Sequence, residues 1–301
     1  MASGYVELHA ASAFSFLQGA SLPEALVDRA AALGYSALAL LDRDGVYGAP
    51  RFHKAARAAG LQPIIGAELT IGSGGGGVWG SESGMPAVAS RSSKRGGSGR
   101  AGGAPPPGEA LYRWRLPVLV ASPEGYKNLC RLVTRMKLRA AKGEGSLALE
   151  ELDGFTAGLV ALPGRALLDG RRYGVGGLLD RLVGLFGRAN VCVDLQRHLL
   201  RDQESDNVAL TELAQAFRVP VVASNGVRFA TPGDRPLFDV LTCVRHHTTV
   251  DAAGRQLARN AERYLKSPQA MAAPFADRPD ALRATEALAR SEEHTSELQS
   301  R

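Results

Sequence analysis

Residues 5–21, Tyr-Val-Glu-Leu-His-Ala-Ala-Ser-Ala-Phe-Ser-Phe-Leu-Gln-Gly-Ala-Ser, decide the fold of this 301-residue chain. The residues Val6–His9 are typical of a short buried strand. A turn follows, and the spacing of Ser21 and Glu24 predicts a capping box that begins a helix with Ser21 as the N-cap. A histidine at the carboxyl end of a first strand is well placed to bind a metal. His9 is therefore the first candidate ligand.

Strands and helices continue to alternate after this stretch. The first helix is predicted to run to Leu33 and to end before Gly34, a residue typical of helix ends. Further helices are predicted at 49–59 and 205–217, and further strands at 36–41, 63–71, 116–121, 159–162, 191–195 and 219–224. Strands that alternate with helices of this length indicate an α/β fold with a parallel sheet or barrel.

Segment 72–110 interrupts this alternation. It contains 13 of the 35 glycines together with serine-rich runs and three consecutive prolines. Such a composition predicts a flexible insertion within a domain that covers 1–229. From 230 onwards the pattern is helical without clear strands, so we place a domain boundary near 230.

Composition narrows the class of protein. The formal net charge of +6 permits contact with nucleic acid without demonstrating it. Three cysteines without CxxC spacing argue against a zinc ribbon or a disulfide scaffold and favour a reducing cytoplasm. The N-terminus does not have the pattern of a signal peptide, and no apolar run is long enough for a membrane span. A cytoplasmic protein without a membrane partner is expected.

A basic helix is predicted after the strand at 116–121. Its apolar residues repeat at the spacing of one buried face. Four basic residues lie four positions apart on another face: Lys127, Arg131, Arg135 and Arg139. These side chains either form an ordinary solvated face or contact the phosphates of DNA, and the sequence leaves both interpretations open.

Several predicted strands end in polar residues, namely His9, Asp42, Glu68, Asp194 and Asn225. In α/β barrels, functional residues collect at the carboxyl ends of the strands. A histidine with carboxylates can bind a metal that generates a nucleophilic hydroxide. Structural roles are also open: a helix cap or turn for Asp42 and Asp194, an ion pair for Glu68, and a hydrogen-bonded histidine for His9.

Several motifs in order give the chain a resemblance to a known family. The motifs are Glu7–Ser21, Arg29–Gly34, Ile64–Glu68, Leu237–Thr249 and Asn260–Pro268. Together they resemble the N-terminal region of bacterial error-prone DNA polymerases, the translesion branch of the replicative polymerase III alpha-subunit family. The resemblance extends over about residues 4–289, apart from the insertion.

The resemblance implies a PHP domain, a distorted seven-stranded β/α barrel, followed over 230–289 by the start of a helical polymerase region. Active PHP domains hold a cluster of metals, but here only His9 and Glu68 remain as vestigial ligands. The other matching positions carry Ala11, Gln18, Arg43, Gly226 and Arg228, and the two mid-domain histidines have no counterpart. We therefore predict a structural platform without catalytic residues or a cofactor of its own.

The resemblance also implies partners for a full-length enzyme. These are DNA, deoxynucleoside triphosphates, a sliding clamp and translesion accessory proteins, with Mg²⁺ held by catalytic aspartates beyond residue 301. Residues 290–301 resemble a peptide encoded by a sequencing adapter, which predicts that the chain is a fragment. A metal-dependent PHP phosphoesterase or 3′–5′ exonuclease, and a free-standing DNA-binding module, are the alternative functions.

Overall fold

The computed structural model describes residues 4–72, 113–141, 145–169, 173–174 and 176–291. Apart from Gly72, which ends a strand, the predicted insertion at 72–110 lies outside the described residues. Most of the predicted adapter-derived tail also lies outside them, although its first two residues continue a helix that ends at Ser291.

Seven strands lie within the described ranges. They are β1 (Glu7–Ala10), β2 (Ala37–Arg43), β3 (Gln62–Gly72), β4 (Arg113–Val120), β5 (Leu159–Ala161), β6 (Val193–Gln196) and β7 (Val221–Ser224). The first five form one sheet in chain order, and the last two form a second sheet. Pairing is parallel from β1 to β3 and between β6 and β7.

Strand β4 departs from the predicted parallel arrangement. It is antiparallel to both β3 and β5. The long strand β3 pairs with it from Gly66 opposite Leu119 to Gly72 opposite Arg113. Antiparallel neighbours do not require the crossover connection that parallel neighbours require.

Two isolated bridges bring the sheets together into a ring. Ala161 pairs with Val191 just before β6, and Ala10 pairs with Val227 just after β7. The strands that the structure describes thus close into the distorted seven-stranded β/α barrel that the sequence predicts.

Nine helices belong to the described part of the chain. They are α1 (Pro23–Ala32), α2 (Ala49–Ala58), α3 (Pro123–Leu138), α4 (Gly177–Phe186), α5 (Arg201–Phe217), α6 (Arg235–His246), α7 (Val250–Ala253), α8 (Pro268–Ala272) and α9 (Pro279–Ser291). None of them has the length and hydropathy to cross a bilayer.

The predicted capping box at Ser21 is wrong. Helix α1 begins at Pro23, and its N-cap is Leu22 without a side-chain hydrogen bond. The Ser21 hydroxyl instead accepts a hydrogen bond from the backbone N–H of Ala230 at 2.8 Å. Ser21 therefore ties the start of α1 to the chain that follows β7, a long-range contact that a local spacing rule cannot detect.

The core has two parts because successive residues of each strand point to opposite sides. Leu38 and Leu40 of β2 belong to a large cluster that includes Phe52 of α2 and Leu129 of α3. The alternate β2 residues Ala37, Ala39 and Leu41 belong to a smaller cluster that includes Ala289 of α9.

Residues 230–291 return to the barrel. The Thr285 hydroxyl of α9 accepts a hydrogen bond from the Val6 N–H at 3.0 Å, and Gln62 donates to the Ala289 carbonyl at 2.9 Å. Helix α9 therefore lies against the strands near the start of the barrel. The domain boundary near 230 and the assignment of 230–289 to a polymerase region stay predictions.

Candidate metal centre of the barrel

His9 links three strands of the barrel. It lies at the end of β1, where the pairing with β2 shifts register between Glu7 and Ala10. Its Nε2 is 2.5 Å from an oxygen of Glu68 on β3, and its Nδ1 is 3.2 Å from an oxygen of Asp194 on β6. The buried imidazole lies between two carboxylates, and each carboxylate contacts a different ring nitrogen.

This position keeps His9 charged. Burial alone would lower the pKa of His9, but the hydrogen bonds to Asp194 and Glu68, together with their negative charges, raise it to about 9. A protonated imidazole donates from both nitrogens and has no lone pair for a metal. The two carboxylates therefore favour the protonated form of His9.

Arg228 takes the second cationic position. Its guanidinium contacts both Glu68 oxygens, at 2.7 and 3.2 Å. Burial would raise the pKa of Glu68, but the charge of Arg228 and the contact with His9 hold it well below its usual range. The geometry thus agrees with the structural interpretation of Glu68 as an ion-pair partner, because Arg228 contacts both of its oxygens.

Gln196 fills the space beside Asp194. Its amide nitrogen is 2.8 Å from Asp194 Oδ2 and 3.2 Å from the Ser224 hydroxyl. Gly226 faces the same amide, and a Cβ on Gly226 would lie only 2.7 Å from the Gln196 oxygen. Asp194 Oδ1 is buried and has no hydrogen-bond donor among the described residues.

These residues do not fit a metal cluster. His9 binds Glu68 directly, and Arg228 covers both oxygens of that carboxylate. A metal needs several lone pairs that converge on one point about 2 Å from each ligand. Over the described ranges, no group of three histidine, cysteine, aspartate or glutamate residues has that geometry.

A family model described as PHP domain matches residues 7–198. The chain belongs to the PHP domain family. It is also 39% identical over 292 residues to an error-prone DNA polymerase of Anaeromyxobacter sp. (strain K). That match covers 95% of this chain and 22% of the relative. An error-prone DNA polymerase of Mycolicibacterium paratuberculosis is 37% identical over 295 residues, with coverage of 94% and 24%.

The chain thus spans less than a quarter of the length of these two curated relatives. Among solved structures, a protein of Bifidobacterium adolescentis assigned as a metal-dependent phosphoesterase is similar, with 13% identity and a TM-score of 0.47. The similarity covers 73% of this chain and 86% of that one.

The other strand-end residues have structural roles in the PHP domain. Asp42 accepts hydrogen bonds from Ser12 and Ser15, which agrees with its interpretation as a turn residue. The Asn225 amide donates to the carbonyls of Glu262 and Tyr264, both at 2.7 Å. These contacts fix the loops at the carboxyl ends of β1 and β7, and so they fix the walls of the site.

Sequence reasoning missed one of the residues that contact Asp194. Asp194 was identified as a strand end, but its partner Gln196 was not. The available signal is the spacing, because residues two apart on a strand point to the same side. His9, Asp194 and Gln196 themselves line a cleft of about 270 Å³. Its lining also includes three arginines, namely Arg115, Arg165 and Arg263.

The four basic residues predicted on one helix face lie on α3 and at its C-terminal end, away from His9 and Glu68. Residues four apart advance about 40° around a helix, so the four side chains wind around α3 instead of forming one line. Arg139 pairs with Glu151 at 2.7 Å, and Arg135 lies over the Phe155 ring at 4.7 Å. Lys127 and Arg131 are both exposed and line a shallow surface depression.

Proposed function

We propose that this chain is the N-terminal part of an error-prone DNA-directed DNA polymerase that acts in damage-induced translesion synthesis. The observation that carries the proposal is the 39% identity across 95% of the chain to a relative named error-prone DNA polymerase. Because the relative is much longer, polymerase chemistry and its Mg²⁺ belong to the region outside the shared segment. DNA and deoxynucleoside triphosphates would be substrates of the whole enzyme.

We further propose that the PHP domain is a structural platform and not a phosphoesterase. Arg228 and protonated His9 supply the positive charge that metals supply in an active site of this type, and Gln196 fills the adjacent space. The ion-pair network then joins β1, β3, β6 and the segment after β7. Its role is to hold the barrel together rather than to activate water.

Two experiments test these proposals separately. Sequencing the source locus should reveal a reading frame that continues into a polymerase region with catalytic aspartates. The purified 301-residue chain, titrated with Mn²⁺ or Zn²⁺, should show neither tight stoichiometric binding nor hydrolysis of p-nitrophenyl phosphate or single-stranded DNA. Metal-dependent hydrolysis that EDTA abolishes would support the phosphoesterase or exonuclease alternative.

The proposed partners depend on the same identity. A sliding clamp and translesion accessory proteins would contact the whole enzyme in the bacterial cytoplasm. Within this chain, Lys127 and Arg131 are the better candidates for DNA contact, because Arg135 and Arg139 are engaged with Phe155 and Glu151. Binding by these two residues would be electrostatic and therefore sensitive to salt.

A further inference from the structure

Two aromatic side chains project into solvent at the carboxyl ends of the neighbouring strands β1 and β2. Phe16, in the turn after β1, is 79% exposed, and Tyr47, in the turn after β2, is 57% exposed. The Ser15 hydroxyl accepts a hydrogen bond from the Arg43 N–H at 3.0 Å, so the two turns lie side by side. Phenylalanine is among the side chains most often buried, so this exposure indicates a surface that binds something.

The structure of the turns holds both rings outward. On one side of Phe16, the Ser15 hydroxyl donates to Asp42 at 2.9 Å, and the Gln18 N–H closes the turn by donating to the Ser15 carbonyl at 2.7 Å. The Tyr47 ring lies against Gly45, where a Cβ would clash with it. The exposure of the two rings is therefore set by the hydrogen bonds and packing of the turns that carry them.

A basic helix begins beside these rings. Helix α2 starts two residues after Tyr47 and contains neither aspartate nor glutamate. Arg51, Lys54 and Arg57 are exposed along about 9 Å of its axis. The Arg51 guanidinium lies over the Phe14 ring at 5.6 Å, which connects α2 to the turn after β1. The aromatic turns and the basic helix thus form one continuous part of the surface.

Acidic residues of the neighbouring helix α1 compensate only part of this charge. Glu24 binds Arg51 through two contacts, at 2.6 and 3.0 Å, and Asp28 of the same helix is exposed. Lys54 and Arg57 form no ion pair within the described ranges of the chain. Their charges are available to an anionic ligand. We call four residues the α2 surface: Phe16, Tyr47, Lys54 and Arg57.

We infer that the α2 surface binds single-stranded nucleic acid, with bases stacked on the two rings and phosphates at the two cations. Surfaces that bind single strands combine aromatic side chains, on which any base can stack, with positive charge along the backbone. A duplex keeps the faces of its bases stacked inside and leaves the rings without a partner. The site uses only residues of this chain and is separate from α3; that the strand is DNA rests on the proposed function.

Fluorescence anisotropy of the 301-residue chain tests the role of the rings. The probes are a labelled oligothymidine of about 16 nucleotides and a duplex of the same length. Single strand should bind more tightly than duplex, and replacing each ring, Phe16→Ala or Tyr47→Ala, should weaken single-strand binding about fivefold or more. Val208→Ala is the matched control, because Val208 is 58% exposed on α5. Melting temperatures should stay equal, since all three side chains are exposed.

Salt dependence tests the role of the cations. Lys54→Gln with Arg57→Gln should lower the slope of log affinity against log salt by about 1.4, because each phosphate contact with a single strand contributes about 0.7. Arg188→Gln with Arg255→Gln is the matched control, since it removes the same charge from exposed positions on other elements. The control should leave the slope unchanged.

Three results would overturn the inference. The first is duplex binding as tight as single-strand binding, with unchanged affinity after both rings are removed. The second is a loss of binding caused only by Lys127→Ala with Arg131→Ala, because the site would then lie on α3. The third is competition by polyglutamate as strong as that by unlabelled oligothymidine, because any acidic chain would then suffice. A locus without a polymerase region would refute the proposed function and leave these affinities as they are.

Discussion

Replacing Arg228 with methionine should destabilise the barrel strongly. Methionine keeps the unbranched, apolar part of the side chain and removes the charge. The guanidinium lies 2.7 and 3.2 Å from the two Glu68 oxygens, and the two side chains are only 15% and 3% exposed. Removing one partner of a buried ion pair costs about 3–5 kcal/mol, because the other charge stays buried.

The lower end of this range applies to Arg228→Met, since His9 still lies 2.5 Å from Glu68. We expect a loss of about 3 kcal/mol in the free energy of unfolding. Glu68→Gln should cost about 4 kcal/mol, because it removes the one carboxylate that both His9 and Arg228 contact. The double variant should lose clearly less unfolding free energy than the two single losses added together, with a coupling energy of about 2–3 kcal/mol.

Urea unfolding followed by circular dichroism at neutral pH measures these four free energies. Arg165→Met is the control, because Arg165 binds Asp206 at 2.6 Å but is 81% exposed. An exposed pair should contribute less than about 1 kcal/mol. If the two single costs add to within about 0.5 kcal/mol, Arg228 and Glu68 are not coupled and the proposed structural network is wrong.

Two further predictions concern pH and DNA. Burial and the nearby charge of Arg263 lower the pKa of His198 to about 3, so folding favours the neutral ring. The stability that this contributes is present above the unfolded pKa of about 6.5 and is lost as pH falls. The difference in unfolding free energy between wild type and His198→Gln should therefore fall by about 3 kcal/mol between pH 7 and pH 4. A difference that stays constant with pH would contradict this prediction. Replacing Lys127 and Arg131 with alanine should reduce the salt dependence of DNA binding by about one unit of slope for each lost phosphate contact. Arg139→Ala should instead chiefly lower the free energy of unfolding, because it loses the bond to Glu151. If the variant with alanine at 127 and 131 keeps the DNA affinity and salt dependence of wild type, α3 is removed from consideration as a DNA contact.

Much of the architecture was predictable because it depends on local patterns. Apolar periodicity and glycine at helix ends located α1 and α2 to within a residue or two of their observed bounds. Strand β7 was located to within two residues, whereas helix α5 begins four residues earlier than predicted and ends at the predicted residue. The direction of β4 was not predictable, since strand pairing depends on contacts between distant residues and not on the period of one strand.

The candidate site was also predictable only in part. The sequence grouped His9 and Glu68 at the carboxyl ends of the strands, and the family resemblance identified both as ligand positions. It also identified Arg228 as a cation where a ligand is expected, and the structure brings all three together. It did not identify Asp194 as the second partner of His9, because 185 residues separate them. Which nitrogen of a histidine meets which carboxylate is a property of the closed barrel.

Gly226 and the Gln196 side chain lie close together in the candidate site. Gly226 has φ +54°, a conformation that costs residues other than glycine about 1 kcal/mol or more, and its Cβ would lie 2.7 Å from the Gln196 oxygen. Gly226→Asp alone should therefore lower the free energy of unfolding by about 2 kcal/mol, while Gln196→Ala in the same chain should recover part of that loss. Urea unfolding of the two single variants and the double variant measures the recovery. The two single effects added together give an expected stability for the double variant. If the double variant is no more stable than this expectation, the two side chains do not compete for one space.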